Sequence, residues 1–180
     1  MNDDLKWSNY DFSKIPFDDI VSVGQRTLLY RDLFTVSWLL GRFCNYKCSY
    51  CWPYARSDRK DHRPTELCIK TIDEIKRQAR QNGFNSFHFS LSGGEPTFHP
   101  GYLDILNHLA GDVGNTNYTS VHMTTNMSRN MKWHETYCKT VAKMHRASIT
   151  ASFHSEYAKE EEFADKLLYC MEHDVHVTIN

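Results

Sequence analysis

Three cysteines fall within eight residues of this 180-residue chain, as Cys44-Asn45-Tyr46-Lys47-Cys48-Ser49-Tyr50-Cys51, a Cys-x3-Cys-x2-Cys spacing. Thiolates are soft ligands that suit zinc and iron–sulfur clusters. Three of them on one short loop can hold three corners of an iron–sulfur cube. One iron is then left open, and an open position separates a reactive metal site from a closed structural one. Zinc is the alternative, with His62 or Cys68 as a fourth ligand. A disulfide loop fits less well, because it leaves one cysteine over. The spacing by itself leaves cluster and zinc both open.

Such a loop needs elements to position it. Thr35-Val36-Ser37-Trp38-Leu39-Leu40 is a short β-branched and apolar run that reads as a strand buried on both faces, and it leads into Cys44. Pro64 to Asn82 reads as an amphipathic helix, with Leu67, Ile69, Ile72, Ile75 and Ala79 at helical spacings and a stop at Asn82-Gly83. Ser86 to Ser92 reads as a strand, Tyr102 to Ala110 as a helix, Thr119 to Thr125 as a strand and Met131 to Met144 as a helix. Ser148 to His154, Glu160 to His173 and Val175 to Ile179 continue the series as strand, helix and strand. This alternation predicts parallel strands joined by right-handed crossovers, an α/β sheet or barrel. Ligand sites in such folds lie at the carboxyl ends of the strands. The residues found there are Cys44 to Cys51, Gly93 to Pro96, Asn126, Ser152 with His154, and Asn180, so the special motifs of the chain share one rim.

The cysteine triplet after a first strand, followed after the next helix and strand by Ser92-Gly93-Gly94-Glu95-Pro96-Thr97, resembles the radical S-adenosylmethionine (radical SAM) superfamily. Thr124-Thr125-Asn126 is similar to the Thr-Asn segment of many members, and Ala151-Ser152-Phe153-His154 to their Val-Ser-Leu-Asp at the end of strand four. The resemblance covers residues 35 to 180 and implies a partial parallel (βα) barrel of five to six βα units, with residues 1 to 34 as an N-terminal extension or lid.

The resemblance also implies a [4Fe-4S] cluster held by Cys44, Cys48 and Cys51, with the open iron chelated by the amino and carboxylate groups of S-adenosylmethionine. An electron from the reduced cluster then breaks the sulfonium bond to the 5′ carbon and gives a deoxyadenosyl radical that abstracts hydrogen from substrate. Gly93 and Gly94 would let backbone approach the methionine moiety, and Glu95 would accept hydrogen bonds from its ammonium group. Tyr50, just before the third cysteine, falls where members place an aromatic beside the adenine; packing on the loop is the plainer role. Ser152 would contact the cofactor carboxylate or ribose, or else be a core serine bonded to backbone. His154 stands where members carry Asp, which leaves a proton donor to substrate or a structural imidazole. Asn126 reads as a ligand contact or a left-handed turn residue. A flavodoxin- or ferredoxin-type electron donor is the expected partner, and the substrate is a peptide or protein side chain, a nucleoside or another small metabolite.

Composition narrows the rest. Lys+Arg 21 against Asp+Glu 22 gives a formal charge of −1, so no general basic field draws nucleic acid. With 41% hydrophobic and 13% aromatic residues the chain is too apolar to be disordered. No apolar run reaches a membrane span and the first residues lack a secretory pattern, so the expected location is cytoplasmic and the six cysteines reduced. Cys68, Cys138 and Cys170 fall on helices as buried thiols, and Lys76, Arg77 and Arg80 read as a solvated helix face. A last strand at Val175 to Ile179 leaves an open sheet edge, which points to a further C-terminal unit or a homodimer. The competing reading of the whole is a non-catalytic zinc-binding interaction module.

Overall fold

A computed structural model describes residues 32–52 and 56–180. The extension expected over 1–34 lies, but for its last residues, outside them. Five strands, β1 (Leu33–Leu39), β2 (Ser86–Ser92), β3 (Tyr118–Thr125), β4 (Arg146–Ala151) and β5 (Val175–Ile179), form one parallel sheet in the order β1-β2-β3-β4-β5. The crossovers carry α1 (Thr65–Gln81), α2 (Tyr102–Gly111), α3 (Met131–Val141) and α4 (Glu160–Glu172). Sequential strand order with crossovers of one hand places all four helices on the same face. The result is an open α/β sheet that matches a partial (βα) barrel, as expected.

Strand alternation sorts the residues between two faces. Phe87, Phe89 and Leu91 of β2, Val121 and Met123 of β3, and Ala147, Ile149 and Ala151 of β4 are buried. They pack in one core with Ile72 of α1, Ile105, Leu106 and Leu109 of α2, Tyr137 and Val141 of α3, and Phe163 and Leu167 of α4. The opposite face bears polar side chains throughout β2, β3 and β4, described below.

Several expectations are corrected. Among the described residues β1 pairs with β2 alone, and its Thr35, Ser37 and Leu39 are exposed, so it is not buried on both faces. β4 stops at Ala151 and not at His154, because the His154 carbonyl accepts from the N–H of Tyr157 (2.9 Å) and Ala158 (2.8 Å) and turns the chain away from the sheet. α3 ends at Val141, three residues short of Met144. Lys76 is not solvated: its side chain is 2% exposed, pairs with Asp112 at 2.9 Å, and lies over the rings of Phe87 and Phe89. No described helix is long and apolar enough to cross a membrane.

Candidate cofactor site at the sheet rim

The segment after β1 does not leave the sheet at once. Leu40 N–H donates to Ser92 O (3.0 Å), Gly94 N–H to Gly41 O (3.1 Å) and Glu95 N–H to Phe43 O (2.7 Å), so the β1–β2 ladder runs on through Gly93-Gly94-Glu95. This explains both glycines. Gly93 sits at φ +143, a region open essentially to glycine, and a Cβ on Gly94 would stand 2.6 Å from the carbonyl carbon of Phe43. The close approach is to backbone 41–43 of the chain itself.

That grip fixes the start of the cysteine loop. Its base is closed by a parallel bridge between Phe43 and Ser57, with Ser57 N–H on Arg42 O (2.6 Å) and Cys44 N–H on Ser57 O (3.4 Å). Cys51 N–H donates to Cys48 O (3.1 Å), folding the second and third cysteines into one turn. Cys44, Cys48 and Cys51 are all free and half-buried, on a single loop at the carboxyl end of the sheet. Burial pushes the Cys44 thiol up, and the charge of Glu95 adds to the effect.

Glu95 is 1% exposed, and its carboxylate is occupied by the protein. Oε1 accepts from Thr97 N–H (3.2 Å), Thr97 Oγ1 (2.6 Å) and Thr125 Oγ1 (2.8 Å), and Oε2 from Asn126 N–H (2.6 Å). Burial raises its pKa, opposed by these donors. The side chain therefore ties the β2 end to the β3 end. Asn126 carries the tie onward: its Nδ2 donates to Asn45 Oδ1 (3.1 Å) and faces Cys44 Sγ at 3.9 Å, while Asn45 Nδ2 donates to Ser128 Oγ (3.0 Å). The left-handed residue of this turn is Met127, at φ 56, and not Asn126.

The loop after β4 reaches the cysteines from the other side. Glu156 accepts from Ser49 N–H (2.9 Å) and from the Ser49 hydroxyl. Tyr50 Oη meets His154 Nδ1 at 2.7 Å, and Tyr46 stacks on Tyr157 with ring centroids 4.7 Å apart. Burial lowers the His154 pKa, favouring the neutral ring. Ser152 extends the sheet through its N–H on Thr125 O (2.9 Å), and its hydroxyl bonds no backbone group among the described residues. Thus the residues expected at the site, Cys44, Cys48, Tyr50, Cys51, Gly93, Gly94, Glu95, Asn126, Ser152 and His154, lie on one rim, and the ends of β2, β3 and β4 converge on the cysteine loop. Asn45, Ser128, Glu156, Tyr46 and Tyr157 were not singled out from sequence; each acts by a contact that only the fold creates.

Below the rim, the sheet face opposite α1 to α4 presents His88, Ser90 and Ser92 of β2, Ser120, His122 and Thr124 of β3, and Arg146, Ser148 and Thr150 of β4. Register sets His88 opposite Ser120 and His122 opposite Ser148, with Nδ1–Oγ distances of 2.8 and 2.9 Å. The alternation Ser86-Phe87-His88-Phe89-Ser90-Leu91-Ser92 was the signal for this face.

Three free thiols on one short loop are a soft donor set of the kind that iron–sulfur clusters take. Among the described residues no three His, Cys, Asp or Glu side chains converge on a single ion. Cys68 is fully buried with its sulfur 3.8 Å from His99 Nε2, and His62 packs edge-on against Phe43 and His99.

Comparison with known proteins agrees with this architecture. No curated protein matches the chain. A solved structure described as "Native anSMEcpe with bound AdoMet" superposes with a TM-score of 0.51 at 17% identity, over 82% of this chain and 43% of that one. The chain therefore spans less than half the length of that protein, and the likeness concerns the fold. The model of the radical SAM superfamily matches residues 38–169, a span that holds the cysteine loop and the rim segments that follow β2, β3 and β4. The chain belongs to the radical SAM superfamily.

Proposed function

We propose that the chain is a radical SAM enzyme in which Cys44, Cys48 and Cys51 hold a [4Fe-4S] cluster and leave its fourth iron to S-adenosylmethionine. When bound, this pair supplies reductive cleavage of the sulfonium to a 5′-deoxyadenosyl radical for hydrogen abstraction. The observation that carries the reading is the convergence on the cysteine loop: backbone 41–43 is clamped by Gly94 and Glu95, Asn45 by Asn126, and Ser49 by Glu156. A loop so held keeps its thiols in place before any ligand arrives, and this preorganisation is the protein's share of cofactor chemistry.

Each rim residue has a task in this reading. Glu95 is a positioning residue, since protein donors take up its carboxylate; Gly93 and Gly94 hold backbone 41–43 at the root of the cysteine loop, and the Ser152 hydroxyl, which has no partner among the described residues, faces the cofactor. Tyr50, held by His154, forms the wall beside the adenine. The hydroxyls and imidazoles of the sheet face opposite α1 to α4 favour a substrate that forms hydrogen bonds, and a flavodoxin- or ferredoxin-type protein supplies the electron.

The test is anaerobic reconstitution with iron and sulfide, followed by addition of S-adenosylmethionine and dithionite and detection of 5′-deoxyadenosine by mass spectrometry. The wild-type chain should form it and Cys48→Ala should not. A wild-type sample with full cluster content that forms none refutes the reading.

A further inference from the structure

Two of the three remaining cysteines meet in the core. Cys138 of α3 and Cys170 of α4 lie 32 positions apart in sequence, yet their sulfurs are 3.8 Å apart, in van der Waals contact and linked by an S–H···S bond. Both are free, 1% and 0% exposed. Closing to a disulfide bond of about 2.05 Å asks for a shift of less than 2 Å between the sulfurs.

We propose that Cys138 and Cys170 are a redox-active dithiol that hydrogen peroxide converts into a disulfide joining α3 to α4. The Cys138 thiolate attacks one peroxide oxygen, giving Cys138–SOH and hydroxide. The Cys170 sulfur then displaces the hydroxyl, forming the S–S bond and water. In sum, two thiols and one H2O2 give one disulfide and two waters; the sulfurs lose two electrons and the peroxide gains them.

Two features make the pair reactive in spite of burial. The Cys170 S–H stabilises the thiolate beside it and draws the Cys138 pKa down. α4 also turns one side to solvent: Phe163, Leu167 and Cys170 are buried, while Leu168 and Met171, next to Cys170 in the helix, are exposed. Local opening of this surface helix is the route by which a molecule as small as H2O2 reaches the sulfurs. Cys68, whose sulfur meets only His99, has no second thiol and cannot take this path.

The experiment treats the folded 180-residue chain with H2O2, blocks free thiols by alkylation, and digests it with trypsin without reduction. Cleavage after Lys132, Lys139 and Lys166 isolates Cys138 in peptide 133–139 and Cys170 in peptide 167–180. The expected product is these two peptides joined, two hydrogens lighter than their sum. It should disappear with dithiothreitol and in Cys138→Ser, and appear with a rise in Tm of up to about 10 °C for a link closing a loop of this length. Recovery of both peptides unlinked and alkylated, after oxidation of Cys44, Cys48 and Cys51, overturns the proposal. So does a link that forms only in urea. Neither result bears on the cluster assignment.

Discussion

Gly94→Ala is the sharpest probe of the rim, because the whole effect must come from one backbone approach. Gly94 does not lie at positive φ, so alanine costs nothing in dihedral strain there. Its Cβ, however, would stand 2.6 Å from the Phe43 carbonyl carbon and nearer still to the carbonyl oxygens of Arg42 and Phe43. These are main-chain atoms that no rotamer change can move aside, so the two segments must part. Parting them stretches the bonds Gly94 N–H to Gly41 O (3.1 Å) and Glu95 N–H to Phe43 O (2.7 Å). Losing two such bonds costs about 1–3 kcal/mol in total, and overpacking adds about 1–3 kcal/mol. The reduced entropy of the unfolded chain returns only about 0.4–1 kcal/mol. The net expectation is a destabilisation of roughly 1–5 kcal/mol, or a urea midpoint lower by about 0.5–2.5 M at a slope of about 2 kcal/mol/M. Gly111→Ala is the internal control: nothing lies within 4 Å of its added Cβ, at the last residue of α2. It should raise stability by up to about 1 kcal/mol. If Gly94→Ala unfolds within about 0.5 kcal/mol of the wild type, the size of an ordinary surface substitution, the ladder through Gly93-Gly94-Glu95 is not what holds the cysteine loop.

The other expectations concern buried charge. Glu95→Gln places an amide NH2 against either Asn126 N–H or Thr97 N–H, leaving one backbone donor unpaired; the cost is about 1–3 kcal/mol, and a circular-dichroism melt with unchanged Tm would refute the four-donor geometry. Asp112→Asn strands the buried Lys76 ammonium and should cost about 3–5 kcal/mol in urea unfolding, whereas Lys76→Met should be neutral or stabilising; equal losses in both would contradict the burial of Lys76. Burial pushes the Asp112 carboxyl up, but the bonds from Lys76, Asn115 and Arg80 more than offset this and hold it below its ordinary value. Stability from the pair is therefore complete above the ordinary carboxylate pKa and is lost as pH falls through the lowered folded value. Acid titration of Asp112→Asn should show that part of the acid unfolding limb flattened, and an unaltered limb would remove the pair from the account.

Strand and helix order was legible because the apolar periodicities are clean, and the shared rim because its motifs are short and end-of-strand. What escaped has a common cause: contacts that depend on register or on distant backbone. Lys76 reads as a solvated charge until the fold sets it over Phe87 and Phe89 and beside Asp112. The glycines suggest room for a ligand, but what needs the room is the backbone at 41–43. β1 has the composition of a strand covered on both faces, and nothing in it states that Thr35, Ser37 and Leu39 are exposed. Histidines that look scattered become an aligned pair once β2, β3 and β4 are in register. Positive φ at Met127 has no signature in residue type.

The account rests on a cluster held at three corners, and Mössbauer spectroscopy of the anaerobically 57Fe-reconstituted chain with and without S-adenosylmethionine tests it most directly. It predicts a [4Fe-4S] signal in which one iron alone changes its isomer shift when the cofactor is added. A sample that takes up zinc in place of iron, or a cluster whose irons all ignore S-adenosylmethionine, would contradict it.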